Sequence, residues 1–259
     1  MFNKIKGLIS AARLPAGLFA VLILAGCASA PNRPLDMQAL GNAVALDDAR
    51  YVRSLVDARM ITVDQVVPGI GYAVTPMVTV AARNGSVNVL RYLIAAKADL
   101  NARTPDRDTP VMLAAMFSDE DRERNSVSTL RYDQSVRLLV EAGASVENTD
   151  ANAYTALAYA AYASREGMIS YLLKKGAKPN GNAQGRAAFV NTPLMMATMQ
   201  GNRDITLQLL RAGADAAIRV QNGMTALEFA RKHKHGHLEK VLVCAESLKS
   251  GETFRQRCE

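Results

Sequence analysis

Three histidines crowd into five residues, His233-Lys234-His235-Gly236-His237. Imidazoles at that density could ligate a transition metal. Lys232 and Lys234 flank and interrupt them, with no other ligand type interleaved, so the run reads as a solvated loop at a helix end. Carboxylates cluster at Asp47-Asp48 and in Asp119-Glu120-Asp121, where a general acid–base couple could form. Both clusters fall at expected helix ends or loops, where they read as solvating charge. Gly69-Ile70-Gly71 is a loop with two glycines, and residues 181–185 read as turn chemistry. Gly-x-Ser-x-Gly, His-Glu-x-x-His, a phosphate loop and a dinucleotide fingerprint are all missing from the sequence. The chain is therefore read as non-catalytic, with no metal and no cofactor. Its three thiols are Cys27, Cys244 and Cys258.

Cys27 stands at the end of a basic and then apolar leader. Lys4, Lys6 and Arg13 precede an apolar run of 13 residues, Leu14 to Gly26, with no acidic residue before Cys27. That run is too short to span a bilayer and suits a signal-peptide core. Leu24-Ala25-Gly26-Cys27 resembles the lipobox of bacterial lipoproteins. The resemblance implies cleavage before Cys27, a diacylglyceryl thioether on its sulfur and an acyl group, such as palmitate, on its new amino terminus. An ordinary cleaved signal, with Ala28-Ser29-Ala30 as the small-residue site, is the alternative. In Gram-negative lipoproteins a residue other than Asp after the Cys permits transfer to the outer membrane. Ala28 thus implies an outer-membrane anchor facing the periplasm. The expected division is a signal over residues 1–26, a lipidated tether over 27–35, a folded region over 36–248 and a polar tail over 249–259. The eight tether residues beyond Cys27 reach at most about 27 Å.

Without the leader 233 residues remain. Three of the 31 basic residues leave with it, so the balance falls from +7 to +4. That is weak support for nucleic acid, and the compartment argues against it.

The remaining chain repeats itself. Val78-Thr79-Val80-Ala81-Ala82 leads to Val89-Leu90-Arg91-Tyr92-Leu93 and Ala98-Asp99. Further copies open at Thr109-Pro110-Val111, Thr155-Ala156-Leu157, Thr192-Pro193-Leu194 and Thr225-Ala226-Leu227. Val78 to Val111 and Thr192 to Thr225 are each 33 residues apart. The threonines are suited to cap helices, and Pro110 and Pro193 fit a first helical turn. Ala114-Ala115 and Ala160-Ala161 permit close helix approach. Gly143, Gly176 and Gly213 suit the position just past a helix end.

This pattern resembles the ankyrin repeat, with its Thr-Pro-Leu-His-x-Ala start and Leu-Leu-x-x-Gly-Ala-Asp close. The resemblance covers about residues 36–245. It implies an all-α ankyrin solenoid, helix-turn-helix units with β-hairpin loops, of five clear repeats and a degenerate first one with helices at 39–46 and 49–58. The consensus His is replaced in every copy, by Thr79, Met112, Ala158, Met195 and Glu228. Thr109 to Thr155 exceeds the period by 13 residues, near 118–130, and Thr155 to Thr192 exceeds it by four. The longer insertion either extends the helices or forms a loop, and it is either part of a working face or a tolerated excursion.

In ankyrin proteins the hairpin tips and inner helices line a concave binding surface. The positions carried over are Tyr72, Asp106, Asp108, Asn152, Tyr154, Phe189, Asn191, Gln221 and Met224 on hairpins, and Arg83, Met116, Phe117, Tyr162, Met199 and Gln200 on inner helices. Five of the 12 Phe and Tyr beyond the leader fall among them, and aromatic and Met residues are enriched in interfaces. The competing reading places some of them in the core, Met116 and Tyr162 foremost. The expected role is capture of a protein partner, as an immunity protein holding off a secreted effector or as a scaffold for a periplasmic enzyme. An enzyme with an unfamiliar site is the alternative from another class. Cys244 and Cys258, an even pair in an oxidising compartment, are expected to form a disulfide; a buried free Cys244 with a disordered tail is the alternative.

Cys27→Ser should release the protein from the membrane fraction or leave it unprocessed. Membrane partition and mobility equal to the parent would refute the lipid anchor.

Overall fold

The computed structural model describes residues 35–69, 72–117, 129–183, 187–188, 190–221, 223–249 and 251–258. The leader, Cys27, most of the tether, the insertion over 118–128 and Phe189 lie outside these described residues.

Helices α1 (Met37–Ala45) and α2 (Ala49–Asp57) form the first pair. Strands β1 (Val66–Gly69) and β2 (Tyr72–Pro76) make an antiparallel hairpin with Val67 opposite Thr75. Inner and outer helices then alternate. The pairs are α3 (Met77–Arg83) with α4 (Val87–Ala95), and α5 (Pro110–Ala115) with α6 (Thr129–Glu141). Next come α7 (Ala156–Tyr162) with α8 (Glu166–Lys174), and β3 (Ala187–Ala188) before α9 (Pro193–Gln200) and α10 (Arg203–Arg211). The last pair is β4 (Arg219–Val220), α11 (Ala226–Lys232), a 3-10 turn at Gly236–Leu238 and α12 (Glu239–Glu246). A short α13 (Phe254–Cys258) ends the described chain.

Four inner helices start at a threonine cap that the sequence offers. Thr109, Thr155, Thr192 and Thr225 accept hydrogen bonds from the amides of Met112, Ala158, Met195 and Glu228. The residue in the consensus His position returns the bond in three copies. Thr109 N–H donates to Met112 Sδ at 3.5 Å, Thr192 N–H to Met195 Sδ at 3.5 Å and Thr225 N–H to Glu228 Oε2 at 2.6 Å. Sulfur is a weak acceptor, so the two Met caps rest mostly on the threonine. Met112 and Met195 compensate by burial, both about 1 % exposed.

Inner helices pack in sequence order, α1 on α3, then α5, α7, α9 and α11. Small side chains make this possible: Ala81, Ala82, Ala114, Ala115, Ala160, Ala161, Ala197 and Ala230 are fully buried. Leucines on the outer helices, among them Leu90, Leu93, Leu139, Leu172 and Leu209, fill the space between the two rows.

Two polar ladders join the repeats. In the first, a side chain ending one repeat accepts from an amide of the next. Asp64 Oδ1 takes Asp99 N–H, Asn101 Oδ1 takes Ser145 N–H, Glu147 Oε1 takes Lys178 N–H and Asn180 Oδ1 takes Asp215 N–H, at 2.7–2.9 Å. In the second, a donor before an outer helix reaches the carbonyl that closes the previous inner helix. Ser86 Oγ donates to Ala45 O at 3.2 Å, Arg165 Nη1 donates to Ala114 O at 2.7 Å, and His235 Nε2 lies 3.0 Å from Met199 O.

The structure departs from the sequence reading at Asp47, at the histidine run and in the tail. Asp47 is not solvated: its side chain is 7 % exposed and accepts from Asn88 N–H, Asn88 Nδ2 and Val89 N–H, with Arg131 donating to it as well. It caps α4 from the neighbouring unit. His235 and His237 are not loose either; His237 Nε2 sits 3.0 Å from Gly201 O. Gly201 (φ +70°) must stay glycine, because a Cβ would meet His235 Nδ1 at 2.6 Å. The tail is structured rather than polar coil: Phe254 is 3 % exposed and α13 packs on α10 and α12. The expected disulfide joins Cys244 to Cys258. Of the two readings of the insertion, helix extension accounts for part of it: α6 has 13 residues against nine in α4, α8 and α10, one extra helical turn.

Arg165 also donates to Asp133 on α6 while its own side chain is 5 % exposed. Arg165→Ala should cost about 1–3 kcal/mol, since it leaves the buried Ala114 carbonyl without its donor while half-exposed Asp133 turns to water; urea denaturation measures it. Reducing the Cys244–Cys258 bridge, which closes a loop of 14 residues, should lower stability by up to about 3 kcal/mol in the same assay.

Candidate protein interface

Three of the hairpin fingers share one turn. In each, the first amide donates to the carbonyl four residues on: Thr104 to Asp108, Asp150 to Tyr154 and Val220 to Met224, each at 3.1 Å. Adjacent fingers are tied as well. Ala151 N–H donates to Asp106 O at 2.9 Å, and β3 pairs in parallel with β4. The fingers are therefore braced against one another.

Bracing consumes several residues read as binding candidates. Asp108 is 7 % exposed and closes its own turn, accepting from Thr104 Oγ1 at 3.4 Å and donating its N–H to the same oxygen at 3.0 Å. Tyr154 is 7 % exposed, with its ring 5.9 Å from that of Tyr159. Tyr159 donates its hydroxyl to Asp150 Oδ2 at 2.8 Å, and Asp150 Oδ1 accepts from Tyr154 N–H and Asn152 N–H. Burial, followed by the Asp150 and Asp108 carboxylates, pushes the Tyr159 phenol far above its ordinary value, which keeps it a donor. Burial and Asp150 raise Tyr154 too, against a hydrogen bond from the Asn191 backbone. Phe117 is 8 % exposed and stacks on Tyr132 with centroids 4.9 Å apart. Asp108, Phe117 and Tyr154 are thus framework, because each faces a neighbouring finger or helix rather than solvent.

The other candidates keep some surface. Arg83, Asp106, Met116, Asn152, Tyr162, Asn191, Met199 and Met224 are half-buried, and Gln200 and Gln221 are exposed. Met116 and Tyr162, the two most open to a core reading, retain exposure. Tyr72 opens β2, and Phe189 is outside the described residues. Arg83, Met116, Tyr162 and Met199 occupy one register, seven residues past the N-caps of α3, α5, α7 and α9. Lys232 ends α11 in the same register and is exposed. Sequence reading passed it over inside the histidine run, although the helix-end position marks it.

A crevice lined by Tyr154, Asn180, Asn191 and Pro193 holds about 10 Å³, room for one water. Among the described residues no cluster of His, Cys, Asp and Glu could hold a metal ion, and no helix is long and apolar enough to cross a membrane.

Residues 79–183 match the family described as ankyrin repeats (3 copies), and residues 191–220 match the ankyrin repeat. The chain is 28% identical over 193 residues to the ankyrin repeat and KH domain-containing protein mask-1 of Caenorhabditis elegans, covering 68% of this chain and 7% of that one. It is 34% identical over 108 residues to an ankyrin repeat-containing protein of Treponema pallidum, covering 42% and 35%. It is 30% identical over 171 residues to glycerophosphocholine phosphodiesterase gde1 of Schizosaccharomyces pombe, covering 65% and 14%. The chain thus spans about a third or less of the length of these relatives. The chain belongs to the ankyrin-repeat family, a family of protein-binding modules, through residues that make up just over half of its length.

Proposed function

We propose that the chain is a non-catalytic lipoprotein that holds a protein partner against its inner-helix ends and hairpin fingers. The row Arg83, Met116, Tyr162, Met199 and Lys232 carries this reading. It places adaptable apolar and polar side chains at one register on consecutive repeats. Hydrogen bonds between the fingers hold that surface in shape before a partner arrives, which lowers the ordering cost of binding. The lipobox resemblance around Cys27 supports anchoring at the outer membrane, on its periplasmic side. The Cys244–Cys258 bridge supports an oxidising compartment. An immunity role against a secreted effector suits an inhibitor tethered within about 27 Å of the bilayer.

A photoreactive residue at Tyr162 or Gln200 should crosslink to one defined partner in cells, the product of an adjacent gene being the first candidate. Tyr162→Glu should weaken capture about tenfold or more at unchanged helix content. Adducts only from Arg137 or Lys174, on the outer helices, would overturn the assignment of the face.

A further inference from the structure

The first finger, the hairpin of β1 and β2, stands out by polarity. Residues 65–82 hold no Asp, Glu, Lys or Arg, the longest such stretch beyond residue 34. Val67 and Thr75 pair across the hairpin and face inward, 0 % and 3 % exposed. Val66 pairs with Pro76, and Val74 directly precedes Thr75, so these three share the opposite face. On a hairpin with one buried face, alternation normally puts polar side chains on the other. Here that face carries Val66 at 41 % and Val74 at 53 % exposure.

This finger lies against the helix that the tether enters. Pro68 packs on Gly41 of α1 so closely that a Cβ on the glycine would meet the Pro68 carbonyl oxygen at 2.9 Å. Gly41 stands four residues after Met37, about 6 Å along the helix. Leu35, where the described chain begins, is eight residues from Cys27, and a flexible chain of that length spans about 16 Å on average. The tether has no chemistry to cover the valines, because residues 28–34 are Ala, Ser, Ala, Pro, Asn, Arg and Pro. Among the exposed residues of 36–64, three Arg stand against four Asp. The first unit thus offers apolar surface and no excess of cations.

We propose that the outer face of the first finger seats in the lipid surface that holds Cys27, with Val66 and Val74 in the boundary between headgroups and acyl chains. The proposal rests on the lipid anchor of the preceding section. Interfacial binding scales with the apolar area buried, so two valines seat weakly by themselves. A short tether raises the effective concentration of the bilayer to the order of millimolar, which makes a weak seat sufficient. Seating fixes one end of the stack at the bilayer and leaves the later units to meet a partner.

The chain has no Trp, so a single introduced one reports its own surroundings. Val74→Trp, Leu46→Trp and Val243→Trp each replace an exposed apolar side chain; Leu46 caps the far end of α1, and Val243 lies on α12. Each full-length variant is processed in cells, purified and reconstituted in phosphatidylcholine vesicles that include the dibrominated lipid, a contact quencher of Trp. Flotation reads the anchor, and quenching reads the seat. Val74→Trp should be quenched and shifted to the blue, and the other two should be neither. Val66→Asp added to Val74→Trp should weaken the contact about tenfold at unchanged circular dichroism, since an ionised carboxylate stays out of lipid. Adding phosphatidylglycerol should change nothing. Floating chains with Val74→Trp no more quenched than Leu46→Trp would overturn the seat and leave the anchor standing. Chains that do not float would overturn the anchor and the seat together. A blue shift without quenching that grows with protein concentration would assign the face to a second copy and overturn the seat, and so would quenching that requires phosphatidylglycerol.

Discussion

No unit of this chain can cover its own apolar surface, and the architecture follows from that constraint. Inner helices of six to nine residues are too short to persist alone in water. Each becomes stable when a neighbour lies on either side. The fully buried alanines of α3, α5, α7, α9 and α11 set how near the neighbours come, since a larger side chain at any of these positions would push two repeats apart. Stability is therefore distributed along the stack as a series of nearest-neighbour interfaces.

Apolar packing of this kind is not selective about register. The polar ladders supply that selectivity. Asp64, Asn101, Glu147 and Asn180 each accept an amide from the next unit, so a slipped interface would leave these donors unpaired. Ser86, Arg165 and His235 do the equivalent for the carbonyls that end the inner helices. Three different side chains perform one task, which is why their shared role has no single-residue signature. The ends are treated separately. Asp47 ties the first unit to α4 and to Arg131 of α6, and Phe254 with the disulfide covers the last one.

The candidate interface is a by-product of the same repetition. Because each inner helix runs about two turns from its cap, five consecutive units present Arg83, Met116, Tyr162, Met199 and Lys232 in a row. Chemistry there is variable because packing does not dictate it. The fingers behave differently. Their turns need Asp108, Asp150 and Tyr154 for internal hydrogen bonds, which leaves fewer side chains for a partner than hairpin position alone suggests.

Period, caps and helix breaks were legible in the sequence because they are local. Thr-Pro at a helix start, paired alanines and a glycine past a helix end act within a few residues of backbone, and the 33-residue spacing repeats them. Pairing of Cys244 with Cys258 was legible too, as an even count and a short separation. Burial at the site was not legible, because a tyrosine at 154 and one at 162 look alike until the neighbouring repeat is in place. Tyr154 turns under the next finger, and Tyr162 stays at the rim. The same holds for Asp47 and the histidines, whose partners lie 36 to 84 residues away. Local backbone preference determined the repeat, while the tertiary stack decided which polar and aromatic side chains hold it together and which remain free to meet a partner.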